Sequence, residues 1–450
     1  MTTAVVNPAM TSPPVPSSPA ARAVALGALG HILDKHQPLY QVLDKAPEFS
    51  RLSPRDRAFA RLLVAIVLRR RGELEALIEA SLERPLPRTA RDIQHILALG
   101  IAQILILGTP AHAAVDTSVR LATKVAKGHF RGLVNAVLRR MTRDGADLLA
   151  GLDGPGLNMP GWLNDICTAA YAAEATRAIA RAHMDEPPLD LTLRDPVEAG
   201  TWAERLEASI LPTGGLRRRA GGRIEELPGY AAGAWWVQDA AASLPARLLP
   251  APWGKRILDI CAAPGGKTMQ LVAAGAHVTA LDRSADRRDL IRQNLARSGL
   301  KADLVEADGR EFDPGISYEG VLLDAPCTAS GTIRRHPDIA YTKVAKDAAR
   351  LAPLQDALLT QAAKLTAKGG VLVYAVCSLD PQEGEDRVRH FLKNHPDFRR
   401  LAVEAAAIGG EAQWITPAGD LRTQPFHMAE AGGMDGFYAA RLQRIGQAAR

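Results

Sequence analysis

The chain has 450 residues, 47% of them hydrophobic and 23% charged, an ordinary soluble composition with ample core material and room for two or three domains. Four cysteines are too few for a disulfide framework and fit a reducing compartment, where a thiol is either buried and inert or catalytic. Net charge is +6, but Arg22 to Asp144 carries 20 Lys/Arg against 11 Asp/Glu, a net of +9 that leaves −3 for the rest; a basic third fits a polyanion partner, although an Arg-rich helical surface serving solubility would look the same.

Residues 1–18 are Pro/Ser/Thr-rich, uncharged and without an apolar signal-peptide core, and read as a disordered leader. With no secretory signal, a cytoplasmic protein is expected. From 19 to 144 apolar residues recur three and four apart, as in "RAFARLLVAIVLRR" and "IQHILALGIAQILIL", which predicts an all-helical domain. Its longest apolar run, Ile96–Leu107, contains Gln103 and stops at Gly108 and Pro110, too short for a bilayer, so no membrane partner is expected.

The Gly/Pro-rich stretch "GADLLAGLDGPGLNMPG" at 145–161 reads as a linker. Residues 162–250 combine a helical connector, roughly Trp162–His183, with a small α+β subdomain of short alternating segments such as "LDLTLR" and "GAWWVQ". From 251 to 446 strands and helices alternate, which predicts an α/β Rossmann-like domain with a mostly parallel, doubly wound sheet. Such sheets bind ligands beyond the carboxyl ends of their strands, so the ends of "RILDI", "HVTALD", "GVLLD" and "VLVYAV" should share one crevice.

In "LDICAAPGGKT" (Leu258–Thr268) a strand runs into Gly265-Gly266 and a helix opens. The spacing is neither the dinucleotide fingerprint nor the phosphate loop, and two glycines alone also suit a generic turn. Asp282, ending "HVTALD", is placed for ribose hydroxyls, and Asp308, ending "LVEAD", for the adenine side. Together they describe an adenosine cofactor held without a pyrophosphate, for which S-adenosylmethionine (AdoMet) is the simplest candidate.

Cys327 and Cys377 each lie just past an apolar strand, at the cofactor edge of the sheet, whereas Cys261 lies in the turn and Cys167 on a helix. One chemistry wants a thiolate beside AdoMet. Carbon 5 of a pyrimidine is a poor nucleophile until a thiolate adds to carbon 6. Asp324 could hold the base through N3 if it carries a proton.

"LDICAAPGGKT", "LLDAPCTASGTIRRHPD" and "YAVCSLDPQEGED" resemble the signature motifs of the AdoMet-dependent RNA cytosine-C5 methyltransferases of the NOL/NOP/Sun family, and "DGFYAARL" resembles that family's closing strand. "AHAAVDTSVRLATKVAKGHFRGLVNAVLRR" resembles the NusB-like RNA-binding domain fused to its bacterial rRNA members. The resemblance implies that Cys261, Ala262, Ala263, Pro264, Gly265, Gly266 and Lys267 surround the methionine part of AdoMet. Asp282 and Asp308 would then take the ribose and adenine, and Asp324 would lie near both cofactor and base. It further implies that Cys377 is the nucleophile and that Cys327 assists product release. The target it implies is a cytosine of 16S rRNA, at the 967-type position.

Three positions depart from the family pattern: Val376 where Thr is common, Gly384 where Asn is frequent, and Arg194-Asp195 where Arg-x-Asn is usual. Arg334, Arg335 and His336, just after Cys327, are candidates for RNA phosphate or base contacts, or else a solvated basic loop. Trp235-Trp236 could stack on bases, with packing against the sheet as the plainer role. No metal is expected, and nothing in the pattern demands a second copy, so a monomer is expected. The alternatives are a tRNA cytosine-C5 methyltransferase and, from another class, a non-catalytic RNA-binding or ribosome-assembly protein. A nicotinamide oxidoreductase fits neither the glycine spacing nor the paired thiols.

Overall fold

Where the periodic pattern begins, Ser18 accepts a hydrogen bond from the Ala21 amide and Pro19 takes the first turn, so the chain caps its own helix. The computed structural model describes residues 18–218, 222–250 and 252–445; the leader expected at 1–18 therefore lies outside them except for Ser18. Two compact units result: one runs to Pro160 and includes His336–Thr342, and the other comprises Gly161–Arg335 and the chain from Lys343 onward.

The first unit is all-helical: α1 (Pro19–Lys35), α2 (Leu39–Asp44), α3 (Pro47–Ser50), α4 (Pro54–Arg69), α5 (Arg71–Glu79), α6 (Arg91–Leu105), α7 (Ala111–Val125), α8 (Arg131–Ala150) and α9 (Gly154–Asn158). α6 is buried almost all round, with Ile93, Ile96, Leu97, Leu99, Ile101 and Ala102 in the core, as befits the central helix of a bundle. Its Gln103 is no flaw, because the side chain accepts from the Arg22 guanidinium at 2.6 Å and donates to the Leu99 carbonyl at 2.9 Å.

The linker expected at 145–161 is instead helical and packed. α8 runs on to Ala150 because Gly145 sits against Leu105, where a Cβ would come within 2.9 Å of a Leu105 methyl. Asn158 then exchanges hydrogen bonds with the Glu73 amide (3.1 Å) and carboxylate (2.8 Å). Gly145, read as a breaker, serves close packing.

Seven residues from far along the chain, His336–Thr342, also belong to this unit. Tyr341 donates its hydroxyl to the Leu68 carbonyl at 2.8 Å beneath the Arg71 guanidinium, and Asp338 accepts from the Leu39 amide at 3.0 Å.

The second unit opens with α10 (Gly161–Met184). An antiparallel sheet of β1 (Leu189–Leu193), β2 (Ser209–Ile210), β3 (Leu216–Arg218) and β4 (Trp235–Val237) follows, in the order β2-β3-β1-β4 and with α11 (Ala199–Arg205) between β1 and β2. Trp235 and Trp236 are buried, their indole N–H groups donating to the Pro228 carbonyl and to Gln238; the plainer role holds, and they are not free to stack on bases.

After α12 (Ala240–Arg247) come β5 (Arg256–Ile260), α13 (Gly266–Ala273), β6 (His277–Leu281), α14 (Ala285–Ser298), β7 (Asp303–Val305) and β8 (Tyr318–Asp324). The chain continues through α15 (Ile339–Thr342), α16 (Lys346–Leu365), β9 (Thr366–Val376), α17 (Glu385–Asn394), β10 (Phe398–Leu401), β11 (Leu421–Arg422) and β12 (Tyr438–Arg444). The sheet order is β10-β12-β9-β8-β5-β6-β7, with β11 paired to β12. β9, β8, β5, β6 and β7 are parallel, and β12 runs antiparallel between β9 and β10. The chain winds outward from β5 through β6 to β7, then returns to β8 on β5's other side. The switch point, where such sheets bind ligands, therefore lies beyond the ends of β5 and β8.

Candidate active site

Every strand bordering that switch point ends in chemistry. β5 continues into Cys261, held at φ 62°, and the loop to Gly266 turns on Gly265 at φ 101°, a conformation that favours glycine. The next helical residues, Lys267 and Thr268, point back to the sheet. Thr268 donates its hydroxyl at 2.6 Å to Asp259 on β5, and the Lys267 ammonium lies 2.7 Å from Asp324 Oδ2 at the end of β8. Asp259 is fully buried with Oδ1 unpartnered, and burial pushes its carboxyl up to about 7. Burial would pull Lys267 off its charge, but Asp324, with Asp259 and Cys377 beyond it, outweighs that and raises the ammonium instead.

Asp282 is almost wholly buried; Oδ2 accepts from the Ala263 amide at 3.3 Å and Oδ1 from the Ser284 amide at 3.0 Å. The Arg287 guanidinium lies 3.5 Å from Oδ2; a carboxylate has about four lone-pair sites, so Oδ1 keeps capacity for a ribose hydroxyl. Asp308 is bound bidentately by Arg310 at 2.9 and 2.6 Å, which holds its carboxyl down at about 2. The loop, the spare acceptor of Asp282 and the small-residue turn fit AdoMet. Cys261 to Lys267 and Asp282 would hold it, with Asp308 and Arg310 at the far end.

Beyond β8 and β9 lie the two thiols, with Cys327 Sγ and Cys377 Sγ 3.5 Å apart. Their loops are stitched together: the Gly331 amide donates to the Cys377 carbonyl at 3.0 Å and the Leu379 amide to Ser330 at 2.9 Å. The Cys327 thiol is pushed well above its ordinary range by its hydrogen bond with Cys377, then by burial, then by the Cys377 and Glu383 charges. Burial pushes Cys261 and Cys167 up to about 12. Cys377 is among the groups whose charge raises the Lys267 ammonium, after Asp324 and Asp259.

Two expectations need correction. Asp324 enters the site as half of an ion pair with Lys267, not as the lone base-holding carboxyl expected. Arg334 and Arg335 do not form a basic RNA-facing loop. Arg334 is 1% exposed and pairs with Asp435 at 3.2 Å and Asp239 at 3.8 Å, while Arg335 pairs with Asp239 and, at 3.2 Å, with Asp435. With Asp190 and Arg217, bonded bidentately at 2.7 Å, they form a buried cluster of three guanidinium groups and three carboxylates. Burial pushes Asp239 up, but Arg335 and Arg334 outweigh it and hold it below the usual range, while burial and the Asp239 charge lift Asp435 to about 7. His336 belongs to the helical unit.

Gly384, where Asn was expected, has a reason: a Cβ there would come within 2.8 Å of the Arg422 guanidinium and 2.9 Å of the Tyr438 ring. Sequence reasoning missed Asp259, the Lys267–Asp324 pairing, Gln355 and Glu383. Glu383 accepts from the Thr328 amide (3.0 Å) and hydroxyl (2.5 Å) and from Gln355 (3.1 Å). Its only signal was a place inside "PQEGED". No helix among the described residues is long and apolar enough to cross a membrane, and they contain no cluster of three or more His, Cys, Asp or Glu able to hold a metal.

The parallel sheet, the AdoMet-fitting loop at its switch point and the acids ending successive strands define an AdoMet-dependent methyltransferase. A family model described as 16S rRNA methyltransferase RsmB/F matches residues 246–443, and the NusB family model matches 19–143. The ribosomal RNA small subunit methyltransferase B of Pseudomonas putida is 36% identical over 450 aligned residues, covering 96% of this chain and 98% of its own. Its counterpart in Vibrio cholerae is 34% identical, covering 94% and 97%. The crystal structure of NSun6 from Pyrococcus horikoshii with SFG shares the fold at a TM-score of 0.54 and 20% identity, over 64% of this chain and 99% of that one. The chain belongs to the RsmB/F family of 16S rRNA methyltransferases.

Proposed function

We propose that this enzyme transfers a methyl group to carbon 5 of a cytosine in 16S rRNA, at the 967-type position, through a covalent bond between Cys377 and carbon 6. The observation that carries this reading is the pair of thiols 3.5 Å apart beside the Lys267–Asp324 ion pair. Methylation of an oxygen or nitrogen needs no thiol, whereas carbon 5 needs a nucleophile added next door.

Bound AdoMet supplies a methyl group on a positively charged sulfur. The chain's own residues do the rest. Cys377 adds to carbon 6 as the thiolate and makes carbon 5 enamine-like. Asp324 accepts and Lys267 donates, matching the adjacent amino group and N3 of a cytosine edge. After transfer, carbon 5 loses its proton and the carbon–sulfur bond breaks, with Cys327 assisting. Extruding the base costs a few kcal/mol, least in a loop. The net charge of +9 over Arg22–Asp144 suits the basic helical unit to RNA phosphates. We place the enzyme in the cytoplasm, with small-subunit rRNA as its partner.

The test is incubation with small-subunit rRNA and methyl-labelled AdoMet, followed by nucleoside analysis. Label in 5-methylcytidine is expected. Label in another nucleoside, or in transfer RNA alone, would overturn the assignment.

A further inference from the structure

Glu383 is fully buried, and its carboxylate is met by an amide, a hydroxyl and a carboxamide rather than by a cation. A carboxylate buried among neutral donors is costly, so a glutamine would serve better if tying two loops together were the whole task. Its partners bracket one residue. Thr328, which follows Cys327, donates twice to Glu383, while Gln355 donates both to Glu383 and, at 2.9 Å, to the carbonyl of Pro326, which precedes Cys327. Glu383 is itself fixed from below, its carbonyl accepting from the Tyr374 hydroxyl at 2.6 Å. The peptide on each side of Cys327 is thus clamped to the loop that carries Cys377.

We infer that Glu383, working with Gln355, is a positioning residue that holds Cys327 as a protonated thiol 3.5 Å from Cys377, so that Cys327 gives an S–H hydrogen bond to the Cys377 sulfur as it leaves the RNA. This rests on the two-thiol reading above. In that release carbon 5 gives its proton to water, and the C–H electron pair becomes the C5–C6 double bond. The C6–S pair returns to Cys377, whose sulfur accepts the Cys327 hydrogen bond without taking the proton. The titratable groups acting on Cys327 are Cys377, Glu383 and Tyr374; the hydrogen bond with Cys377 and burial keep its proton on, and the Cys377 and Glu383 charges add to both.

The experiment compares wild type, Glu383→Gln, Cys327→Ala, Cys327→Ser and the Cys327→Ala/Glu383→Gln double variant on small-subunit rRNA with AdoMet. Denaturation-resistant protein–RNA adduct, methylcytosine yield and melting temperature are read for each. Glu383→Gln is nearly isosteric, so folding is protected, and its melting temperature should stay near wild type. It should accumulate adduct about tenfold over wild type while forming it at nearly the normal rate. The double variant should be no worse than Cys327→Ala, because the two residues act as one unit. Cys327→Ser, which keeps a donor, should clear adduct faster than Cys327→Ala.

If Cys327→Ala accumulates adduct but Glu383→Gln turns over like wild type, the inference is wrong. The same holds if Glu383→Gln loses adduct formation together with thermal stability, a purely structural role. If wild type makes no methylcytosine and Cys327→Ala no adduct, the two-thiol reading fails first and the inference falls with it.

Discussion

Lys267 Nζ stands 2.7 Å from Asp324 Oδ2, an ion pair joining the first turn of α13 to the end of β8 across the switch point. The ammonium also lies over the Phe437 ring at 5.2 Å, so one cation serves carboxylate and ring. Lys267→Met should lower kcat/KM for methyl transfer by about 10²-fold, roughly 2.7 kcal/mol of lost electrostatic stabilisation. Lys267→Arg should restore little, since a planar guanidinium does not replace a compact ammonium. Single-turnover methyl transfer distinguishes these outcomes from slow product release.

The cluster around Arg334 makes the opposite prediction from a phosphate contact. Arg334→Met leaves Asp239 and Asp435 buried with one guanidinium fewer between them. The expected loss is about 3–5 kcal/mol of stability, measured by denaturant unfolding. The salt dependence of RNA affinity should keep its slope, whereas removing a phosphate contact would reduce that slope by about 1.

Asp259 ties stability to pH. Its carboxyl titrates near 7 when folded because it is buried, against an ordinary 3.8. Between those values the folded state holds the proton that the unfolded state has released, so this group's contribution falls as pH rises from about 4 to 7 and is level above that. At 1.36 kcal/mol per unit the loss is on the order of 4 kcal/mol. Asp259→Asn should therefore flatten the decline and be relatively more stable at pH 8 than at pH 4. Denaturant midpoints across that range check the sign.

Gly331 sets how closely the Cys327 loop approaches the segment before β12. A Cβ there would lie 1.9 Å from the Gly436 carbonyl oxygen, and Gly331 gives its amide to Cys377. Backbone cannot rotate away like a side chain. Gly331→Ala should cost about 10²-fold in methyl transfer through displaced thiols, with AdoMet binding retained. Calorimetry with AdoMet separates this from unfolding.

The alternation of strands and helices, and the acids and thiols at strand ends, could be read from the sequence because apolar periodicity and chain position determine them together. What could not be read depends on partners distant in the chain. "TIRRHPD" is basic in isolation; only the fold brings Asp190, Asp239 and Asp435 around its arginines. The glycines at 145–161 read as breakers because a sequence pattern cannot distinguish a turn from a close helix contact such as Gly145 with Leu105. Glu383 and Gln355 went unassigned because their meaning lies in the two sides of Cys327 they hold, and Glu383 stands 28 residues from Gln355 and 55 from Thr328.

The most direct test of the attack-and-release assignment is the denaturation-resistant protein–RNA adduct in Cys377→Ala and Cys327→Ala, each incubated with small-subunit rRNA and AdoMet. Cys377→Ala should give neither adduct nor methylcytosine, and Cys327→Ala should accumulate adduct. Adduct that persists in Cys377→Ala and vanishes in Cys327→Ala would contradict that assignment, making Cys327 the nucleophile.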